Sequence, residues 1–454
     1  MNNITSIGSR EASIKERNVL RDLASRVMEI STSPLIKERK SAWKASNDLK
    51  SKRPLILVET IAMEGFKDES KILCTDPFLR DVEKALREMI RHYTDIDDDY
   101  VIEPYYRIPW RIKNSGFGVN FGEKHAINYK GDNTAYSFDY PIKHIEDIEK
   151  LKHNQFTVFK TDTQALANKL DNAIGDIMPI RIGGLDLIFT EWDGIFSLNT
   201  DAINSDGSRR YLGYTPFIGS YFIGIGFSMF KLMGNENLMY WSYDHPDVIH
   251  ALADFICKDR INFFQWIQNE GLIDSNADNQ IIGSGPLGYV SCLPEPSHSS
   301  NHLSINHIWG WAEAQEAGIF SPDMFNEFFL PYIAKVANKF GLISYGCCEK
   351  LEDRVQNILN KISNIRSVAI SPWNSDKKMA EILGNKYTYC RKIMPSYISA
   401  ENVEWGLLEK EIKDIHNATK DCNLQLVIRD VYDINRDFKR LTTWAKLARK
   451  ILGI

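Results

Sequence analysis

Short apolar, β-branched runs recur along this chain, and most are followed by a stretch with apolar residues at helical spacing. Eight such runs stand out: Pro54 to Glu59, Tyr100 to Pro104, Met178 to Gly183, Gln280 to Ser284, Gly341 to Gly346, Ile365 to Ser371, Tyr387 to Lys392 and Leu424 to Arg429. Several are near-continuous apolar runs, as parallel strands buried on both faces require. Helical patterns lie between many of them, at Phe78 to Tyr93, Pro246 to Asn269, Ser321 to Phe340, Glu349 to Ile362 and Asp376 to Leu383. Strands alternating with crossover helices predict an α/β fold that closes as a (β/α)8 TIM barrel. An open doubly wound sheet is the alternative. It is weakened because no Gly-x-Gly-x-x-Gly follows the first run.

Residues 1–50 are charged and helical in pattern, with Leu20, Leu23, Val27 and Ile30 on one face of Ala12 to Ser33. They predict a helical N-terminal extension before a barrel over 51–454. Two connections are long, 105–177 and 285–340. Long loops at the C-terminal face of a barrel build its pocket.

Composition narrows the function. The 454 residues are 43% apolar and 25% charged, with a net charge of -5. No large basic block is available to neutralise phosphates, which argues against nucleic acid as a partner. The apolar stretch Tyr221 to Met233 is too short to span a bilayer, and Lys231 interrupts it. Seven cysteines, spread thinly apart from one adjacent pair, fit a reducing cytoplasm better than a disulfide framework.

That pair carries the candidate chemistry. Tyr345-Gly346-Cys347-Cys348-Glu349 follows a predicted strand, so two thiols and a carboxylate meet at one strand end. The set suits a zinc ion or a reactive thiol with an acid beside it. The alternative is buried thiols acting as small hydrophobes, with the Glu capping a helix. Other predicted strands also end on polar residues: Glu59, Glu103, Arg181, Ser284, Ser371, Arg391 with Lys392, and Arg429 with Asp430. Several of these are costly to bury unpaired. Aromatic residues gather near the same ends, among them Tyr105, Tyr106, Trp110, Trp192, Trp309, Trp311 and Trp373. Aromatic walls with a few charged groups suit a small-molecule pocket. His298, His302 and His307 match no standard metal spacing and read as a solvated loop.

Further motifs carry a resemblance. They are Trp309-Gly310-Trp311-Ala312-Glu313-Ala314-Gln315, then Phe320 to Phe328 leading to Leu330-Pro331-Tyr332, then Gly346-Cys347-Cys348-Glu349, Ile370-Ser371-Pro372-Trp373 and Lys392 to Pro395. With them the chain resembles the uroporphyrinogen decarboxylase-like superfamily. That group holds the heme-pathway decarboxylase, zinc methyltransferases that move methyl groups from corrinoid proteins, and methionine synthase-type barrels. Two departures matter. The decarboxylase's Arg-Gln-Ala-Gly-Arg motif is missing, and Arg107-Ile108-Pro109-Trp110 is not equivalent to it. In the methyltransferases' His-x-Cys pair, Gly346 stands at the His position if Cys348 takes the Cys position. Arg429-Asp430 stands where their final Cys would be.

The resemblance therefore implies a methyltransferase rather than a porphyrinogen decarboxylase. The resemblance carries over Cys348 as a metal ligand, and the strand end adds Cys347 beside it, with zinc as the expected metal and a corrinoid carried by a partner protein. Glu103, Glu349, Lys392 and Asp430 are expected as catalytic residues. Glu59, Tyr105, Trp309, Glu313, Trp373 and Arg429 are expected to bind substrate. A small-molecule substrate, a corrinoid protein and a second copy of the chain are the expected partners. Two alternatives stay open. One is a decarboxylase or lyase with Arg181, Arg391, Lys392 and Arg429 holding a carboxylate. The other is a non-catalytic barrel that binds a corrinoid or a protein.

Overall fold

A computed structural model of the chain describes residues 11–60, 63, 71–119, 122–127, 133–185, 221–296 and 303–454. Trp192, His298 and His302 lie outside the described residues. The strands are β1 (Leu55–Val58), β2 (Tyr106–Trp110), β3 (Ile112–Asn114), β4 (Gly122–Ile127), β5 (Asn133–Asp139), β6 (Phe156–Val158), β7 (Ile180–Leu185), β8 (Tyr221–Phe222), β9 (Trp309–Ala312), β10 (Leu342–Tyr345), β11 (Ile365–Ile370), β12 (Thr388–Lys392) and β13 (Asn423–Ile428).

Seven of them form one sheet in the order β1-β13-β12-β11-β10-β9-β8. Every pairing in it is parallel. Strands β1, β10, β12 and β13 are buried at every position, and polar residues in them such as Arg391, Lys392 and Gln425 are buried with partners. Helices fill the crossovers, including Pro322–Phe328 and Leu330–Ala337 before β10, Val355–Lys361 before β11, Asp376–Leu383 before β12 and Trp405–Ala418 before β13.

Six of the eight expected runs hold a strand close to the expected residues: β1, β10, β11, β12 and β13 in this sheet, and β7, which pairs with β2 outside it. The other two do not. Tyr100 to Pro104 lies outside any strand; the strand falls at Tyr106–Trp110 and pairs in parallel with β7. Gln280 to Ser284 is one arm of a hairpin, in which Ile281 bridges Leu287. Its tip is at Gly285, whose φ of 124° suits glycine alone, and a Cβ there would lie 3.1 Å from Cys390 Sγ. Strands β8 and β9, which the pattern of β-branched runs did not show, take their places in the sheet.

Among the described residues the strand ladder does not run from β8 back to β1. Side-chain amides and single bonds bridge that side instead. Asp99 N–H donates to Ile56 O at 2.9 Å. Asn279 Nδ2 donates to Val101 O at 3.2 Å, and Asn276 bonds both the N–H and the C=O of Trp309.

The expected N-terminal extension is two helices, Ile14–Ser31 and Pro34–Asn47. Ser13 and Glu16 form a capping box on the first, and Ser33 caps the second with Pro34 in its first turn. The second helix seats on the N-terminal ends of the sheet. Arg366 Nη1 donates to Asn47 O at 2.8 Å, and Gln425 Nε2 donates to Ser46 Oγ at 3.0 Å. Trp43 is fully buried there, its indole N–H on Asp99 O at 2.7 Å. No helix among the described residues is long and apolar enough to cross a membrane.

Candidate active site

The turn after β10 begins with Gly346, at φ 105°. A Cβ there would sit 2.6 Å from Ala369 O, so only glycine lets the chain leave the strand in this direction. The next two residues are the adjacent thiols. Cys347 is buried and Cys348 is partly exposed, with their sulfurs 3.6 Å apart.

Lys392, the last residue of β12, and Asp430, just past β13, close a triangle with Cys348. Lys392 Nζ donates to Cys348 Sγ at 3.3 Å and to Asp430 Oδ2 at 2.9 Å, and that oxygen lies 3.4 Å from the sulfur. Lys392 is 2% exposed, so its charge is felt in a poorly screened setting. Asp430 holds a left-handed backbone, φ 59°, which is uncommon for a non-glycine residue and occurs often at functional sites.

Protonation follows from these contacts. The hydrogen bond from Cys347 lowers the Cys348 thiol below its ordinary value, and the Lys392 ammonium adds to this against burial. Cys347 is pushed well above the ordinary value by the same sulfur contact and by burial. The two shifts run in opposite directions, so Cys348 is the thiol of the pair that ionises more readily. Burial works to raise the Asp430 carboxyl, but Lys392 and Arg429 win and hold it low. Arg429 lies beside this group, salt-bridged to Glu59, donating to Gly283 O at 3.3 Å and resting 5.7 Å from the centre of the Trp311 ring. Ser284 Oγ donates to Cys347 Sγ at 3.7 Å from the hairpin tip.

The structure therefore gathers six of the expected site residues: Glu59, Cys347, Cys348, Lys392, Arg429 and Asp430. Glu349 is next to them, but its oxygens accept backbone N–H groups from Cys347 at 2.8 Å and Ala314 at 3.2 Å. It braces the two turns that follow β9 and β10. Glu313 is buried close by. One of its oxygens accepts Gln315 N–H at 2.9 Å, and the other has no hydrogen-bond partner among the described residues.

The remaining expected residues engage elsewhere. Glu103 accepts from Tyr289 at 2.6 Å and from Lys40 at 3.0 Å, which ties down the second N-terminal helix. Tyr105 donates to Asp278 at 2.6 Å, in a cluster with Arg107, Arg181 and Asp274. Trp309 is core, its indole N–H on Gly288 O at 2.8 Å. Trp373 lies on the surface, 61% exposed. Three contributors were not in the expected set: Trp311, Ser284 and Glu316. Trp311 and Ser284 each stand beside an expected residue or at a predicted strand end, which was the available signal.

Glu313, Glu316 and Glu349 form a buried acidic group whose carboxyls burial raises above the usual range. Glu316 is lifted to about 7. The unfolded chain would ionise Glu316 near its ordinary 4.5. The folded protein therefore holds the extra proton, and stability is full below that value and lost as pH rises towards 7. For Glu316 alone the loss is about 3 kcal/mol. Urea unfolding should show falling stability between about pH 5 and about pH 8, and Glu316→Gln should flatten that slope.

The donor set does not fit the expected zinc. Among the described residues no three His, Cys, Asp or Glu side chains are placed to hold a metal ion. The position beside Cys348 and Asp430 where a cation would be welcome is taken by the Lys392 ammonium. A second cation there would face Lys392 and Arg429 at close range.

No protein-family model matches the chain, and no curated protein sequence matches it. Among solved structures the chain is similar to a methyltransferase from Methanosarcina mazei, with a TM-score of 0.45 and 10% identity, over 91% of this chain and 98% of that one. A likeness this loose carries no argument about chemistry.

Proposed function

We propose that this chain is a methyltransferase that moves a methyl group to a thiol acceptor at the C-terminal ends of β1, β10, β12 and β13. The donor is a methylated small molecule or the corrinoid of a partner protein. One observation carries the reading: a partly exposed thiol, Cys348, in contact with a buried ammonium, Lys392. The sequence resemblance supplies methyl as the group that moves.

The chemistry needs no metal. An acceptor thiol bound beside Cys348 gives its proton to the Cys348 thiolate, so one thiol and one thiolate exchange roles. Lys392, with Arg429 behind it, then holds the negative charge on the acceptor sulfur, as a Lewis acid would. That sulfur attacks the methyl carbon. The new carbon–sulfur bond forms as the carbon–donor bond breaks, and its electron pair leaves with the donor. Cys348 returns its proton to solvent through its exposed side.

The carboxylate-holding alternative is less supported, because Arg181 and Arg391 are held in ion pairs apart from the Cys348 group, so the four cations do not converge. Arg181 is paired with Asp274, Arg391 with Asp376 at 2.8 Å, Lys392 with Asp430 at 2.9 Å, and Arg429 with Glu59.

The test is transfer itself. The protein is incubated with deuteromethyl-labelled amines, sulfonium compounds or methylcobalamin, and with a small thiol. Labelled methyl thioether detected by mass spectrometry is the expected product. Absence of thioether with every donor, methylcobalamin included, contradicts the reading.

A further inference from the structure

The adjacent thiols are unequal in a way that methyl transfer does not use. Cys348 is partly exposed and touches the Lys392 ammonium at 3.3 Å. Cys347 is 7% exposed, lies 3.6 Å from Cys348 Sγ, and is held from its other side by Ser284 Oγ. One sulfur can meet a reagent from solvent, and the other waits in contact behind it. From this geometry we infer that Cys347 and Cys348 form a reversible oxidation site, with Cys348 as the attacking thiol and Cys347 as the resolving thiol.

The reagent is a peroxide. The Cys348 thiolate attacks one peroxide oxygen, forms Cys348–SOH and releases hydroxide. The Cys347 thiol then displaces water from that sulfenic acid and forms the Cys347–Cys348 disulfide. Two thiol electrons pass to each peroxide, and a dithiol reductant restores the pair.

Adjacency decides the character of the bond. Neighbouring Cα atoms are about 3.8 Å apart across a trans peptide, closer than the roughly 4.4–6.8 Å that disulfides prefer. A strained disulfide is more readily reduced, so this bond acts as a switch and not as a staple. Oxidation consumes the Cys348 thiolate. Under the proposed function it therefore stops transfer until the pair is reduced. The oxidation site itself rests only on the thiol geometry.

The experiment reads covalent mass, so it is independent of any transferase assay. Protein freed of reductant is treated with an equivalent of hydrogen peroxide at neutral pH, alkylated and digested with trypsin. The peptide Phe340 to Lys350 should lose two hydrogen atoms, resist alkylation, and recover both thiols with dithiothreitol. Cys347→Ser should leave a sulfenic acid on Cys348 that dimedone traps. Lys392→Met should slow disulfide formation roughly tenfold by lowering the thiolate fraction. The inference is overturned if Cys348 goes on to sulfinic acid with no disulfide in the unmodified sequence. It is equally overturned if neither thiol reacts, or if Cys347 is the sulfur that dimedone traps in Cys348→Ser.

Discussion

Cys348→Ser is expected to lower the rate of methyl transfer by roughly 10²–10⁴-fold, the range spanned by loss of a positioned acid–base group. The two side chains are nearly the same size, and Cys348 is not in the closed core, so the melting temperature should change little. What changes is charge. A thiol beside the Lys392 ammonium ionises more readily than an ordinary cysteine, whereas a serine hydroxyl there stays neutral. It cannot take the proton from an acceptor thiol. Cys347→Ser should cost far less, because Cys347 supports the thiolate and does not hold the moving proton. Transfer within a few-fold of the unmodified protein in Cys348→Ser would remove the thiolate from the mechanism.

The second large effect is on stability. Arg429→Met should destabilise the protein by about 3–5 kcal/mol, as expected when one partner of a buried ion pair is removed. Glu59 is 7% exposed and has Arg429 as its salt-bridge partner. Burial already raises the Glu59 carboxyl, and Arg429 opposes this. Without Arg429 that carboxyl must be buried uncompensated or take up a proton. The loss should therefore shrink in acid, where protonation costs least. The double change Glu59→Gln with Arg429→Met should recover much of the loss, which denaturant unfolding can measure. A single variant within about 1 kcal/mol of the parent would show that the pair is well solvated.

The strands nearest the site were legible because their environment leaves a plain mark. Strands β10 to β13 are buried on both faces, and the sequence answers with apolar, β-branched runs. Strand β9 leaves no such mark. Trp309-Gly310-Trp311-Ala312 has no β-branched residue, and Gly310 is needed where a Cβ would meet Phe340 at 2.8 Å. The hairpin at Gln280 to Ser284 misled in the opposite direction. Its Ile281 and Ile282 look like a strand, but Gly283, Gly285 and Pro286 fold it back before it can pair along the sheet.

The site divides in the same way. A polar residue directly after a buried run must either find a partner or face solvent, so Glu59, Cys347, Cys348, Lys392, Arg429 and Asp430 could be found from strand ends alone. Partners distant in sequence could not. Glu103 is at the end of an apolar run, but Lys40 and Tyr289 claim it, and neither is suggested by its neighbours. Trp309 and Trp373 share one composition signal and have opposite fates, buried and exposed. The side-chain contacts decided this, not the residue type.

The most direct measurement of the central claim is the rate at which iodoacetamide alkylates Cys348 as a function of pH, followed on the peptide Phe340 to Lys350. The account expects half-maximal rate at a pH below the ordinary thiol value of about 8.5. Lys392→Met should move that point up. Asp430→Asn, which removes an anion that opposes the thiolate, should move it down. Half-maximal rate at or above the ordinary value, unmoved by either change, would mean that Cys348 is a neutral thiol and that the site has no thiolate with which to work.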